Sequence, residues 1–230
     1  MIKHNLLDIE GTTAPISFVH QVLFPYAKEK LKSYLSNHSI PENQWQEITR
    51  EFLVDQSKFP EELPKEINPT NVYLYLEFLI LKDRKFGPLK EIQGKIWKVG
   101  YESKELKSIL FPDVKGFLES SKEKGISNHV YSSGSVEAQI LIYKYSNEGD
   151  LTSLFTSYFD TAVGGKREKE SYLKIANQLN CSTGEVCFFT DIVEEAEAAS
   201  SAGMSVVILD RPGNIPQKEH QFKVIQKFSP

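Results

Sequence analysis

The chain has 230 residues, 40% of them apolar, enough for one large domain or a core domain carrying an inserted second one, so a disordered chain is excluded. Acidic residues number 31 against 27 basic, a formal net charge of -4 without a lysine or arginine run, which excludes a nucleic-acid surface. Neither a signal peptide nor a run of roughly 18 apolar residues is recognisable, so a soluble, cytoplasmic protein with no membrane partner is expected.

The first short apolar run, residues 4–9, predicts a buried strand. Residues 17–108 then show almost no strand-like alternation. Helical spacing links Val19, Val22, Leu23, Tyr26 and Ala27, continues through Leu31, Tyr34 and Leu35, and returns at Trp45, Ile48 and Phe52 and over 72–81. Pro60, Pro64 and Pro69 separate these segments, and Pro25 is expected to kink or restart the first. From residue 109 onward helices alternate with strands. Helices are expected over 112–124, 135–145, 168–179 and 193–202, and strands over 126–132, 185–190 and 204–209, with Gly203 capping the last helix. Alternation of this kind implies an α/β fold with a Rossmann-like parallel sheet. A helical stretch of this length after the first strand reads as an inserted cap, giving a core of 1–16 and 109–230 and a helical cap of 17–108. Cys181, in an expected loop, and Cys187, in an expected strand, make neither a disulfide framework nor a zinc site.

In an open parallel sheet the ligand crevice lies beyond the carboxyl ends of the strands, so the polar residues where each apolar run stops carry the chemistry. The first run ends in "LLDIEGTTAP", with Asp8 and Glu10 two residues apart and on one face of an extended chain. One carboxylate could attack as a nucleophile while the other moves protons; a strand ending in a polar turn explains the same letters. "VYSSGS" ends the second run in Ser132 and Ser133, donors suited to phosphate oxygens or to an ordinary helix cap. "VCFFTD" ends the third in Asp191, which either opens the next helix, together with Glu194 and Glu195, or joins Asp8 in a hard oxygen site for magnesium. Between them "GGKREKES" carries Lys166, a solvated loop lysine in isolation. Beside these acids it becomes a needed counter-charge for a phosphate, since unit charges about 4 Å apart interact at roughly 4 kcal/mol in an effective dielectric of 20.

The ordered set of Asp8, an acid two residues on, Ser132, Lys166 and Asp191 resembles the haloacid dehalogenase superfamily of phosphotransferases. More narrowly, "LLDIEGTTAPISFV", "LFPYA", "FPDV", "VYSSGSVEAQ", "YFDT", "GGKREKESY", "CSTGEVCFFTD" and "RPGN" resemble the enolase-phosphatase (acireductone synthase) family of methionine salvage over nearly the whole chain. Glutamate at position 10, where most of the superfamily has aspartate, marks the narrower family. The resemblance implies one magnesium ion per subunit and a bifunctional reaction on 2,3-diketo-5-methylthiopentyl-1-phosphate: enolisation, then hydrolysis of the phosphate to give 1,2-dihydroxy-3-keto-5-methylthiopentene. Carried over residue by residue, Asp8 is the phosphorylated nucleophile and a metal ligand, and Glu10 the acid/base whose backbone carbonyl reaches the metal. Ser132, Ser133 and Lys166 bind substrate, Asp191 completes the protein's metal ligands, and Glu195 is an outer acid. Gln93 and Trp97 of "QGKIW" fall in a family segment near the substrate, although helix packing explains a tryptophan there equally. The chain departs from the family at Lys104 and Phe111, where glycine and tyrosine are more frequent. Two other readings stay open: a magnesium phosphatase for another small phosphorylated metabolite, and a receiver-like phospho-acceptor module, which gives no reason for Glu10 or for the helical insert. Nothing in the sequence calls for a protein partner, so a monomer is expected.

Overall fold

The computed structural model describes residues 1–229 and divides into two compact units, Met1–Val19 with Lys104–Pro230, and His20–Ser103. In chain order the first unit opens with strand β1 (His4–Leu7) and a short turn of helix, α1 (Ile16–Phe18). A π-helical turn, Val19–Leu23, leads into α2 (Phe24–Asn37), followed by α3 (Glu42–Lys58), α4 (Val72–Leu81) and α5 (Gly87–Glu102). The remainder runs α6 (Val114–Glu123), β2 (Ser127–Tyr131), α7 (Val136–Lys144), β3 (Ser157–Phe159), α8 (Lys169–Gln178), β4 (Val186–Thr190), α9 (Val193–Ser201), β5 (Ser205–Leu209) and β6 (Lys223–Ile225).

Among the described residues the strands form one six-stranded sheet in the order β3-β2-β1-β4-β5-β6, every neighbouring pair parallel. This is a doubly wound order, and it reverses direction between β1 and β4, where such sheets open a ligand crevice. Both faces are covered, which is why the strands read as continuous apolar runs rather than alternating ones. Alternation sends Phe188 to one face, against Tyr131 and Tyr172, and Phe189 to the other, against Phe117 and Phe228. On the first face Leu6, Val186, Ile175, Ala199 and Met204 join Phe188 in one buried cluster.

Strands β3 and β6 are three residues each and were not expected; so short a run has no period to detect, and each exists by pairing with β2 or β5. β1 stops at Leu7 rather than at residue 9. The Asp8 N–H still donates to the Phe189 carbonyl at 2.9 Å, but the Ile9 N–H turns back onto Asp8 Oδ1 at 2.7 Å. The Ile9 carbonyl then accepts from Thr12, Thr13 and Ala14, winding the chain into a tight turn. Lys104 holds a left-handed φ of +64, the backbone reason a glycine suits that position.

In the helical unit α4 is apolar around most of its circumference and forms the centre, burying Val72, Tyr75, Leu76, Phe78, Leu79 and Ile80. Pro25 stands at the first turn of α2, where its missing N–H costs nothing, and the π turn just before it accommodates the restart. The fully buried Asp55 accepts from Tyr75 Oη at 2.9 Å and pairs at 3.3 Å with Arg84, which also pairs with Glu51. No helix among the described residues is long and apolar enough to cross a membrane.

Candidate active site

Each expected core residue stands at a strand exit. Asp8 follows β1, Ser132 follows β2, Lys166 lies in the loop after β3, and Asp191 follows β4. Asp8 and Asp191 therefore flank the point where the strand order reverses.

Lys166 joins the group. Its Nζ lies 2.7 Å from Asp8 Oδ2 and 2.7 Å from Glu195 Oε2, and all three side chains are buried. Glu195 is fixed in turn by Thr190 Oγ1, which donates to Glu195 Oε2 at 2.9 Å and accepts from the Ile192 N–H at 3.1 Å. The loop that carries Lys166 is gripped at three successive carbonyls. Tyr131 Oη donates to Gly164 at 2.9 Å, Ser171 Oγ to Gly165 at 2.8 Å, and Tyr172 Oη to Lys166 at 2.6 Å. Lysine is flexible in free loops; here its backbone is pinned and its ammonium held between two carboxylates.

The electrostatics follow from burial. Desolvation pushes Asp8 and Glu195 upward against the pull of Lys166, and pushes Asp191 up to about 8, the charge of Asp8 adding to the effect. Burial works against the Lys166 ammonium, but Asp8 and Glu195 outweigh it and hold the lysine above its ordinary range. Three buried carboxylates face one ammonium, a net charge of two minus when all are ionised. Among the described residues no three His, Cys, Asp or Glu side chains converge as a closed metal cage. A hard divalent cation needs none: magnesium is held by one or two carboxylates, the remaining positions going to carbonyls, waters and phosphate. The excess negative charge at Asp8 and Asp191 and their oxygen-only chemistry fit such an ion. The turn after Asp8 is packed directly on Asp191: a Cβ at Gly11, whose φ is +70, would lie 2.3 Å from Asp191 Oδ2.

Asp191 does not open α9 as a cap. The Ile192 N–H is bound by Thr190 Oγ1 and the Val193 N–H donates to Gln217 Oε1 at 3.2 Å, so neither of these N–H groups is capped by Asp191. In the second exit the two serine roles separate: Ser135 caps α7, accepting from the Ala138 N–H at 3.3 Å, while Ser132 is buried beside the end of β2 and Ser133 is half-buried. Glu10, half-buried, lies in the turn two residues beyond Asp8. In the helical unit Gln93 and Trp97 are buried on α5, and the Trp97 indole N–H donates to the Leu23 carbonyl at 2.9 Å, a contact within that unit.

Several residues at this end of the sheet were given no role by the sequence. Tyr131, Ser171 and Tyr172 act through hydroxyls on carbonyls of a loop up to 33 positions away. Thr13 Oγ1 lies 3.0 Å from the Asp8 carbonyl and 2.8 Å from Tyr143 Oη. Arg211 and Asn214, in the turn after β5, reach back to the Thr12 and Gly11 carbonyls. The sequence had marked Arg211 and Asn214 only as part of the "RPGN" segment, without a role.

The family model for haloacid dehalogenase-like hydrolases matches residues 2–203. "Enolase-phosphatase E1" of Leptospira biflexa is 58% identical, covering 99% of this chain and 99% of the relative. The protein of the same description from Leptospira borgpetersenii is 50% identical over 97% of this chain and 95% of its own. Among solved structures, the UTR4 protein of Saccharomyces cerevisiae superposes with a TM-score of 0.79 at 32% identity, covering 99% of both chains. A match of this extent, over a sheet whose strand exits bring Asp8, Lys166 and Asp191 to one end, places the chain in the haloacid dehalogenase-like hydrolases and, within them, in the Enolase-phosphatase E1 family.

Proposed function

We propose that the protein is the bifunctional enolase-phosphatase of methionine salvage, a phosphoric monoester hydrolase that enolises 2,3-diketo-5-methylthiopentyl-1-phosphate and then hydrolyses its phosphate. The observation that carries the site assignment is the Lys166 ammonium held 2.7 Å from both Asp8 and Glu195 in a buried cluster. Asp8 is the nucleophile. Its Oδ1 accepts from the Ile9 N–H, and Lys166 holds the other oxygen, so the carboxylate is oriented before substrate arrives.

Glu10 moves the protons. In the first half it takes a proton from the carbon beside the diketone, and Lys166 steadies the negative charge that develops. In the second half Asp8 attacks phosphorus, the bond from phosphorus to the substrate oxygen breaks, Glu10 gives its proton to that oxygen, and the enediolate leaves, to be protonated by solvent, as an aspartyl-phosphate forms. Glu10 then takes a proton from the water that cleaves that phosphate, returning Asp8 to its carboxylate. Ser132 and Ser133 donate to the phosphate oxygens, and Glu195 holds Lys166 in place. Haloacid dehalogenase-like phosphatases are generally magnesium-dependent. One magnesium ion would be held here by Asp8, Asp191 and the Glu10 carbonyl, and when bound it supplies the positive charge that lets a phosphate approach three acids. We read the helical unit as a cap that excludes water during enolisation, with Gln93 and Trp97 as its candidate contacts, and the enzyme as a cytoplasmic monomer.

The test supplies the diketo phosphate with magnesium and follows free phosphate and enediol absorbance together. Both are expected for the natural sequence and neither for Asp8→Asn. Release of phosphate without enediol would reduce the protein to a phosphatase for a different metabolite.

A further inference from the structure

The "RPGN" segment, residues 211–214, brings no acid, hydroxyl or lysine to the reaction. It follows β5 as a tight turn, closed by the Asn214 N–H donating to the Arg211 carbonyl at 3.1 Å, and both ends of the turn reach the segment that follows Glu10. Asn214 Nδ2 donates to the Gly11 carbonyl at 2.9 Å and to the Leu209 carbonyl at 3.1 Å, tying the turn after β1 to the end of β5. Arg211 Nε donates to the Thr12 carbonyl at 3.2 Å.

Neither donor is free to wander. The Arg211 guanidinium is buried, pairs with Asp113 through Nη1 and Nη2 at 2.9 Å each, donates to the Gln226 carbonyl at 3.0 Å, and lies 4.4 Å from the Phe111 ring centre. The Asn214 amide has one workable orientation: reversed, its oxygen would face two carbonyl oxygens and lose both hydrogen bonds. In the orientation present, Asn214 Oδ1 is buried without a hydrogen-bond partner, and a Cβ on Gly11 would fall 2.9 Å from it.

We propose that the 211–214 turn is a bracket that positions Glu10, by holding the two successive carbonyls immediately after it. This rests on the reading of Glu10 as the acid/base, and it makes Asn214 and Arg211 positioning residues that touch no substrate. The physical need is plain. The chain here has left the β1 ladder, so the ladder does not hold residues 10–12; the Gly11 N–H donates to the Ala14 carbonyl at 2.8 Å, and the bracket supplies the restraint on the opposite side. A general acid/base needs its reach set within a fraction of an ångström, and a misplacement of about 1 Å costs on the order of 100-fold in rate.

The test is a double-mutant cycle between Asn214→Ala and Glu10→Gln, read by kcat, KM and thermal midpoint with magnesium and the diketo phosphate. The expected result for Asn214→Ala is a kcat lowered roughly 10- to 100-fold with KM little changed. Added to Glu10→Gln it is expected to cause no further loss, because the side chain it positions no longer moves the proton. Gln217→Ala, which removes a hydrogen bond from the same segment to α9, is expected to lower the thermal midpoint and leave kcat alone. Unchanged kcat in Asn214→Ala, or losses that multiply in the double variant, would overturn the bracket while leaving Glu10 its role. Full activity in Glu10→Gln would instead refute the acid/base reading on which the bracket rests. If Asn214→Ala does not fold, Asn214→Ser, which keeps one donor, takes its place in the same cycle.

Discussion

Lys166 is a charged loop residue that the fold has turned into a buried one, and its neighbours explain why that is tolerable. The ammonium sits between Asp8 and Glu195, while Tyr131, Ser171 and Tyr172 hold the carbonyls of its loop. Removing one partner of a buried ion pair leaves uncompensated charge and costs about 3–5 kcal/mol. Lys166→Met is therefore expected to lower stability by about that amount near pH 8, measured by urea unfolding, and to cut phosphate release by at least about 100-fold. A variant of wild-type stability would mean the three carboxylates are relieved by something other than the lysine. At this scale Asp8, Ser132, Lys166 and Asp191 were legible because each follows a readable apolar strand or a glycine-opened loop. The hydroxyls of Tyr131 and Tyr172 were not, since a tyrosine in a strand or helix reads as core until the carbonyl it meets is known.

Among the elements, turns and caps divide the polar residues between structure and chemistry. Within "SSGS" the structure gives the cap to Ser135, the residue that accepts from the Ala138 N–H. Ser135→Ala is expected to cost about 1 kcal/mol by chemical denaturation and to leave kcat and KM unchanged, because its hydroxyl is taken up by the helix rather than by the phosphate. A loss of turnover larger than the loss of stability would move Ser135 into the phosphate site. The central strands, α4 and the helices that alternate with the strands were legible to within two residues, because apolar runs and 3.6-residue spacing leave a direct mark, whereas α2 and α3 showed spacing without ends and α5 was not marked out. The turn after Asp8 was not: the sequence suggests an extended chain to residue 9, and only the bonds of the Ile9 carbonyl show that the ladder ends at Leu7.

Over the whole molecule, the site at the sheet's reversal point sets how stability responds to pH. Asp191 has an ordinary value of 3.8 and is pushed up to about 8 when folded. Between those values the folded state holds a proton there that the unfolded state releases, so the stability of the metal-free protein falls as pH rises from about 4 to about 8. Asp8 and Glu195, also shifted upward, act in the same direction. Thermal midpoints of metal-free protein across that range are expected to fall with pH, and Asp191→Asn is expected to flatten the slope and raise the midpoint near pH 8. A variant with the slope of the natural sequence would show that Asp191 is not the charge that burial penalises. The sequence by itself determined the alternation of helices and strands, the long helical insert, three strand exits carrying acids and hydroxyls, and a glycine-opened loop carrying a lysine, because periodicity and punctuation are local properties of a chain. Only the tertiary structure decided that β1 lies between β2 and β4, that Lys166 meets Asp8 and Glu195, and that a turn after β5 grips the carbonyls beyond Glu10. Those contacts join residues up to 203 positions apart. They depend on the order in which strands pair, which no local pattern encodes.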